Sequence, residues 1–99
     1  MSLNKLKIAI AGATGYVGLD LVFYLSKHPN VKISYLCAQK KIGLNIQQFD
    51  KRIKKILPQI SNLNNVNWKK VDILYLSLPN GESQKIIKKL YKYSHLKFI

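Results

Sequence analysis

The run from Ile8 to Gly18, IAIAGATGYVG, constrains the fold of this chain more than any other stretch in it. An apolar segment runs straight into three glycines spaced three apart, and apolar residues then continue at helical intervals. Lys5 to Ala11 reads as a strand whose Ile8-Ala9-Ile10-Ala11 end is apolar on both faces, as a strand buried inside a parallel sheet must be. Gly12, directly after it, suits a turn too tight for a Cβ; Gly15 lets backbone come close to an anionic group, and Gly18 lets the following helix lie against the strand. Val17, Leu21, Tyr24, Leu25 and His28 then predict one face of that helix, which Pro29-Asn30 stops. Val31 to Cys37, VKISYLC, is a second strand. Strand, tight turn, helix and strand within about 30 residues make a βαβ unit of the size of a mononucleotide-binding half.

Further along, Ile42, Ile46, Phe49, Ile53, Ile56 and Leu57 have mostly helical spacing and predict a partial helix, weakened at its start by Gly43 and Asn45 and closed by Pro58. Ser61 to Asn67, SNLNNVN, is loop by composition. Val71 to Leu78, VDILYLSL, is another buried strand, ending in a Pro79-Asn80-Gly81 turn. A helix beginning at Glu82 or Ser83 turns Ile86, Ile87, Leu90 and Tyr91 inward and Lys85, Lys88, Lys89 and Lys92 to water. The closing LKFI opens a strand. The expected fold is α/β, a Rossmann-like doubly wound parallel sheet occupying residues 1–99 as one N-terminal domain. Nothing marks the last strand's end, so the expectation is an incomplete domain at the start of a longer polypeptide. Met1-Ser2-Leu3 is read as a leader without function.

No apolar run approaches the roughly 20 residues of a membrane span, and no secretory signal opens the chain. A lone cysteine forms no internal disulfide, so a reducing cytoplasm is expected. The balance of 17 Lys+Arg against four acids, formally +13, raises the question of nucleic acid. Nearly all the cations are Lys, accompanied by many Ile, Asn and Tyr, a composition that AT-rich codons also produce, and only Arg52 offers the bidentate fork favoured in base recognition. No nucleic-acid or membrane partner is therefore expected, and Lys51 to Lys55 is read as a solvated face.

The amides of Thr14 to Val17 at the positive end of the first helix suit a pyrophosphate, and the Thr14 hydroxyl adds a cap or a phosphate contact. The spacing is G-x-x-G-x-x-G instead of G-x-G-x-x-G, and a purely structural turn is the competing explanation. Some 20 residues past the glycines, where an acid binds a ribose 2'-hydroxyl in NAD sites, there is no Asp or Glu between Asp20 and Asp50. Cys37-Ala38-Gln39-Lys40-Lys41 stands there instead, which predicts NADP over NAD; the alternative is that two lysines mean little in so basic a chain. Ser77 to Asn80 borders the ribose or nicotinamide, or is an ordinary strand-to-helix turn. Cys37 has no local His or Asp arrangement and reads as a small buried hydrophobe. His28 reads as a helix C-terminal residue and His95 as a loop or strand-edge residue; no metal-ligand spacing or Ser/His/Asp set is visible.

Three stretches, AGATGYVGLDLVFYLSKHP, Ile56-Leu57-Pro58 and VDILYLSLPNGES, together spanning most of residues 7–93, resemble the N-terminal part of the N-acetyl-gamma-glutamyl-phosphate reductases, NADPH-dependent enzymes of arginine biosynthesis in the semialdehyde dehydrogenase superfamily. The resemblance implies that a cysteine thiolate attacks the acyl phosphate of N-acetylglutamyl phosphate, phosphate leaves, and hydride from NADPH reduces the thioester to the semialdehyde with a histidine as acid/base. Those catalytic residues belong to a domain beyond Ile99, and no position here matches them. The roles that carry over are Gly12, Thr14, Gly15, Tyr16 and Val17 at the phosphates, Gln39 and Lys40 near the adenosine ribose, and Ser77, Leu78 and Pro79 toward the nicotinamide. The family commonly has His where this chain has Asn80. A homo-oligomer of the full-length protein is expected. The rivals are an aspartate-semialdehyde dehydrogenase-type cofactor domain, a stand-alone non-catalytic NADP-binding module, and a basic nucleic-acid binder.

Overall fold

Along β1 (Leu6–Ala11) successive side chains enter two different cores: Ile8 and Ile10 one, Ala9 and Ala11 the other, all but out of contact with water. That is the alternation of a strand buried on both faces. The computed structural model describes residues 5–99; Met1-Ser2-Leu3, read as a leader, lies outside them. Four further strands, β2 (Val31–Cys37), β3 (Ile60–Ser61), β4 (Ile73–Leu76) and β5 (Lys97–Phe98), join β1 in one parallel sheet of order β3-β2-β1-β4-β5. Helix α1 (Tyr16–Ser26) connects β1 to β2, and α2 (Asn80–Leu90) connects β4 to β5. Because connections between parallel strands are right-handed and the chain moves outward from β1 in opposite directions, the two helices cover opposite faces. Val22 accordingly packs with Ile8 and Ile10, and Leu90 with Ala9, Ala11 and Leu74. The expected doubly wound parallel sheet is the observed one.

Strand β2 changes phase partway. Ile33 pairs with Ile8 but Tyr35 with Ala9, so Ser34 is an extra residue in the ladder, a β-bulge. Val31 and Ile33 join the α1-side core, and past the bulge Leu36 stays on that side while Tyr35 and Cys37 pack on the other.

Local periodicity misplaces several details. The buried face of α1 consists of Gly18 and Val22, with Leu19, Leu21 and Leu25 half-buried; Val17 and Tyr24 are 66% and 65% exposed, and His28 is exposed too. The expected face was rotated because the residue closest to the sheet is a glycine, which an apolar count scores as nothing. The partial helix expected over Ile42 to Leu57 reduces to a 3-10 turn at Ile46–Gln48. Lys41 and Gly43 have positive φ angles of 71° and 88°, and the chain then runs beside β3, Gly43 N–H donating to Ile60 O at 2.7 Å and Ile60 N–H to Leu44 O at 2.9 Å. Ile46 and Ile53 still reach the core, whereas Ile42 and Ile56 stay exposed. Pro79 is the N-cap of α2, so Asn80-Gly81 is its first turn and not a preceding loop, and Tyr91 is exposed, not inward. The segment expected as loop from Ser61 to Asn67 contains the end of β3 and a 3-10 turn at Leu63–Asn65.

Arg52 ties the long arm to α1. Its Nη2 donates to Asp20 Oδ1 at 2.7 Å and to Asp50 Oδ2 at 2.6 Å, and its guanidinium lies 4.5 Å from the centre of the Phe23 ring. Arg52 holds the Asp50 carboxyl below its ordinary value, chiefly through those hydrogen bonds. A depressed folded-state pKa contributes stability above the unfolded carboxylate value, about 3.9, and loses it as pH falls through the folded value. An Arg52→Ala variant is therefore expected to unfold at lower urea concentration than the parent at pH 7, with the gap closing in acid below about pH 4. Urea titrations at pH 7 and in acid check this; a gap independent of pH would refute the ion-pair account.

Candidate cofactor-binding site

The turn after β1 is built from backbone. Gly12 sits at φ 78°, where its N–H and that of Ala13 both donate to Cys37 O, at 3.0 and 3.1 Å. A Cβ on Gly12 would lie 2.1 Å from Ser77 O, and one on Gly18 would lie 1.9 Å from Gly12 O. Both glycines are therefore demanded by the fold. Gly15 is not: it has φ −76° and ψ 169°, which any residue adopts, and its Cβ would meet only Gly12 O, at an ordinary 3.6 Å. It is exposed at the N-cap of α1, so what it leaves open is the approach from solvent.

The same place is short of hydrogen-bond acceptors. Gly15 N–H donates to Gly12 O at 3.2 Å, so that amide is used internally, contrary to the expectation that every amide from Thr14 to Val17 faces a ligand. The N–H groups of Thr14, Tyr16 and Val17 find no acceptor among the described residues, and no side chain caps the helix or places an acid in its first turn. Unpaired amides and the positive end of the helix macrodipole favour an anion there.

Beside this turn the chain reverses its winding: from β1 it moves to β2 and β3, then returns to β4 on the other side of β1. Open α/β sheets bind ligands in the crevice at the carboxyl ends of strands at such a point. A cleft of about 270 Å³ occupies it. Ala11 and Gly12 at the end of β1 and Cys37, Ala38 and Gln39 at the end of β2 form one side. Asn62 and Leu63 after β3, Leu78 after β4, and Glu82, Lys85 and Ile86 on α2 complete it. Small-molecule sites usually offer roughly 300–1,000 Å³, so this volume suits about one half of a dinucleotide. In the cleft lining, burial pushes the Cys37 thiol up to about 11, against a smaller opposing effect of Ser61, so it remains protonated at neutral pH.

Of the residues singled out from sequence, Gly12, Gln39 and Leu78 line the cleft. Thr14, Gly15, Tyr16 and Val17 form the start of α1 next to it, with Tyr16 94% exposed. Ser77 closes the ladder, its N–H donating to Ala11 O at 3.0 Å, and Pro79 O accepts from the N–H groups of Glu82 and Ser83. Lys40 is exposed and outside the cleft lining. Sequence reasoning missed Asn62, Leu63, Glu82, Lys85 and Ile86. The signal for the last three was their i, i+3, i+4 spacing on α2; Asn62 had none, since β3 is only two residues long. His28 lies past the end of α1, its Nδ1 accepting from Asn30 N–H at 3.1 Å, and His95 lies in the loop before β5 with Nε2 3.0 Å from Trp68 O.

Residues 7–98 match the family described as semialdehyde dehydrogenase, NAD binding domain. The N-acetyl-gamma-glutamyl-phosphate reductase of Ehrlichia ruminantium (strain Gardel) is 44% identical over 89 residues, covering 88% of this chain and 26% of that protein. The protein of the same name from Rhodospirillum rubrum is 34% identical over 93 residues, covering 93% and 26%. The chain thus spans about a quarter of the length of the curated relatives it matches. Among solved structures, it is similar to aspartate semialdehyde dehydrogenase with NADP from Candida albicans (TM-score 0.74, 22% identity, 95% of this chain and 29% of that one). It is also similar to aspartate semialdehyde dehydrogenase II from Vibrio cholerae (TM-score 0.75, 23% identity, 95% and 30%). Those two likenesses concern the fold. With a match running over nearly its whole length, the chain belongs to the semialdehyde dehydrogenase NAD-binding domain family.

Proposed function

We propose that this chain is the NADP(H)-binding portion of an N-acetyl-gamma-glutamyl-phosphate reductase. The observation that carries the cofactor role is Gly15, a glycine the fold does not need, set among amides that lack acceptors. Gly12, Thr14, Gly15, Tyr16 and Val17 hold the pyrophosphate; the adenosine half enters the cleft with Gln39 and Lys40 near its ribose; Ser77, Leu78 and Pro79 face the nicotinamide half. When bound, NADPH supplies a hydride. This chain's own residues bind and orient, and the nucleophile and acid/base come from elsewhere in the complete polypeptide. The absence of a carboxylate from Ala38 to Lys41 supports NADP over NAD in a family described as NAD-binding. The names of relatives at 44% and 34% identity support N-acetylglutamyl phosphate as substrate over the aspartyl analogue suggested by the solved structures. No helix among the described residues is long and apolar enough to cross a membrane. The proposed setting is the cytoplasm and the proposed assembly a homo-oligomer of the full-length protein.

Calorimetric titration with NADPH and with NADH tests the cofactor. The expected result is NADPH binding at least about tenfold more tightly, a difference of about 1.4 kcal/mol. Equal affinities would remove the NADP assignment, and failure of both to bind would remove the cofactor role. NADPH oxidation by the complete polypeptide with N-acetylglutamyl phosphate against aspartyl phosphate decides the substrate.

A further inference from the structure

The cation that the cleft itself presents is Lys85, on the second turn of α2, and not the Lys40-Lys41 pair that follows β2. Lys41 sits in a left-handed turn whose carbonyl accepts from Leu44 N–H at 3.2 Å, where the chain turns away to run beside β3. Lys85 has no ion-pair partner among the described residues. Together with Gln39 and Asn62 it also borders a second groove of about 510 Å³, which continues from the cleft along α2. Two more lysines of the same helix region line that groove, Lys89 and Lys92, at i+4 and i+7 from Lys85. Lys89 Nζ donates to Asn64 Oδ1 at 3.1 Å, which keeps it against the groove wall.

No carboxylate among the described residues lines the second groove. Three of the chain's four acids are engaged elsewhere, Asp20 and Asp50 by Arg52 and Asp72 by the N–H of Lys7 at 2.8 Å. The fourth, Glu82, lines the cleft only. The potential therefore changes across the border formed by Gln39, Asn62 and Lys85: a carboxylate on the cleft side, and lysines alone beyond it. A neutral ribose meets no strong preference at that border, whereas a phosphate on the ribose gains a charge-assisted contact with Lys85 and the field of Lys89 and Lys92 behind it.

We infer that Lys85, backed by Lys89, selects a 2'-phosphorylated adenosine, and that the second groove receives that phosphate. The inference rests on the NADP(H) reading above and deepens it by naming the selecting residue.

Calorimetric titration of NADPH and NADH into the protein, its Lys85→Gln variant and a Lys88→Gln variant, whose lysine lies on the same helix outside both grooves, tests it. Lys85→Gln is expected to weaken NADPH by about tenfold or more and NADH by less than about twofold, while Lys88→Gln changes the ratio by less than about twofold. Lys85→Arg, which keeps the charge on an exposed helical position, is expected to restore most of the preference. An unchanged ratio in Lys85→Gln, or an equal loss in Lys88→Gln, would overturn the inference while leaving the cofactor role standing. Failure of the unsubstituted protein to bind either nucleotide would overturn both.

Discussion

Gly12→Ala is expected to lower the thermal midpoint by about 20 °C or more, so that little folded protein survives at 37 °C. Two penalties coincide there. An alanine at φ 78° carries the left-handed penalty of about 1–2 kcal/mol, and its Cβ would stand 2.1 Å from Ser77 O and 2.9 Å from the Leu78 side chain. Leu78 has a flexible end, but Ser77 O is backbone, directly after the strand that pairs with β1. Relief therefore requires β1 and β4 to move apart, and β1 is the middle strand of the sheet. A cost of about 4 kcal/mol is a large part of the 5–15 kcal/mol that holds a typical domain together, and in a domain of this size each kcal/mol is worth about 4–8 °C. Thermal denaturation followed by circular dichroism measures it, and a fall of less than about 5 °C would mean that the turn yields far more easily than its contacts imply.

Gly15→Ala separates binding from folding. Its backbone angles suit alanine and its Cβ has room, so stability should change by less than about 1 kcal/mol, the loss of a favourable N-cap residue being offset by a stiffer unfolded chain. The methyl group would stand beside the free amides of Thr14, Tyr16 and Val17, where a pyrophosphate needs backbone contact distance. NADPH affinity is expected to fall by about tenfold to a hundredfold, or about 1.4–2.7 kcal/mol. Titration of the folded variant decides the matter. Unaltered binding would place the nucleotide elsewhere and leave the amides at the start of α1 without an assigned role.

The contrast between Gly12 and Gly15 marks what can be read along one dimension. Both were legible as glycines of a strand-turn-helix motif, since the motif lies within a few residues of itself. Which of them the fold requires was not legible, because the answer lies in Ser77 O, contributed by a strand far along the chain. The same division runs through the fold. β1, β2, β4 and both helices announce themselves by local periodicity, whereas β3 is a strand only because Leu36 and Cys37 are there to pair with it. The arm from Ile42 to Leu57 has helical spacing yet is fixed by Arg52, Asp20 and the bonds to Ile60, all tertiary. In the candidate site, the strand ends were foreseeable from the motif and the family resemblance. The wall built from Asn62, Glu82, Lys85 and Ile86 arises where three segments meet, and lysines on a helix read from sequence as a face turned to water.

Ser34 is in the chain but not in the ladder. Strand β2 enters the sheet with its odd-numbered residues on the α1 side, and the one unpaired position reverses that parity before Tyr35. Had Ser34 instead paired with Ala9 in an unbroken ladder, Leu36 would occupy the α2 side and Cys37 the α1 side, and the end of β2 would show the crevice its other edge. The face that Cys37 shows the cleft is thus decided several residues upstream, by one residue of β2 staying out of the ladder. A chain lacking position 34 would pair Tyr35 with Ala9 directly and keep the same lining, so the bulge carries the extra residue without passing its shift on to the site.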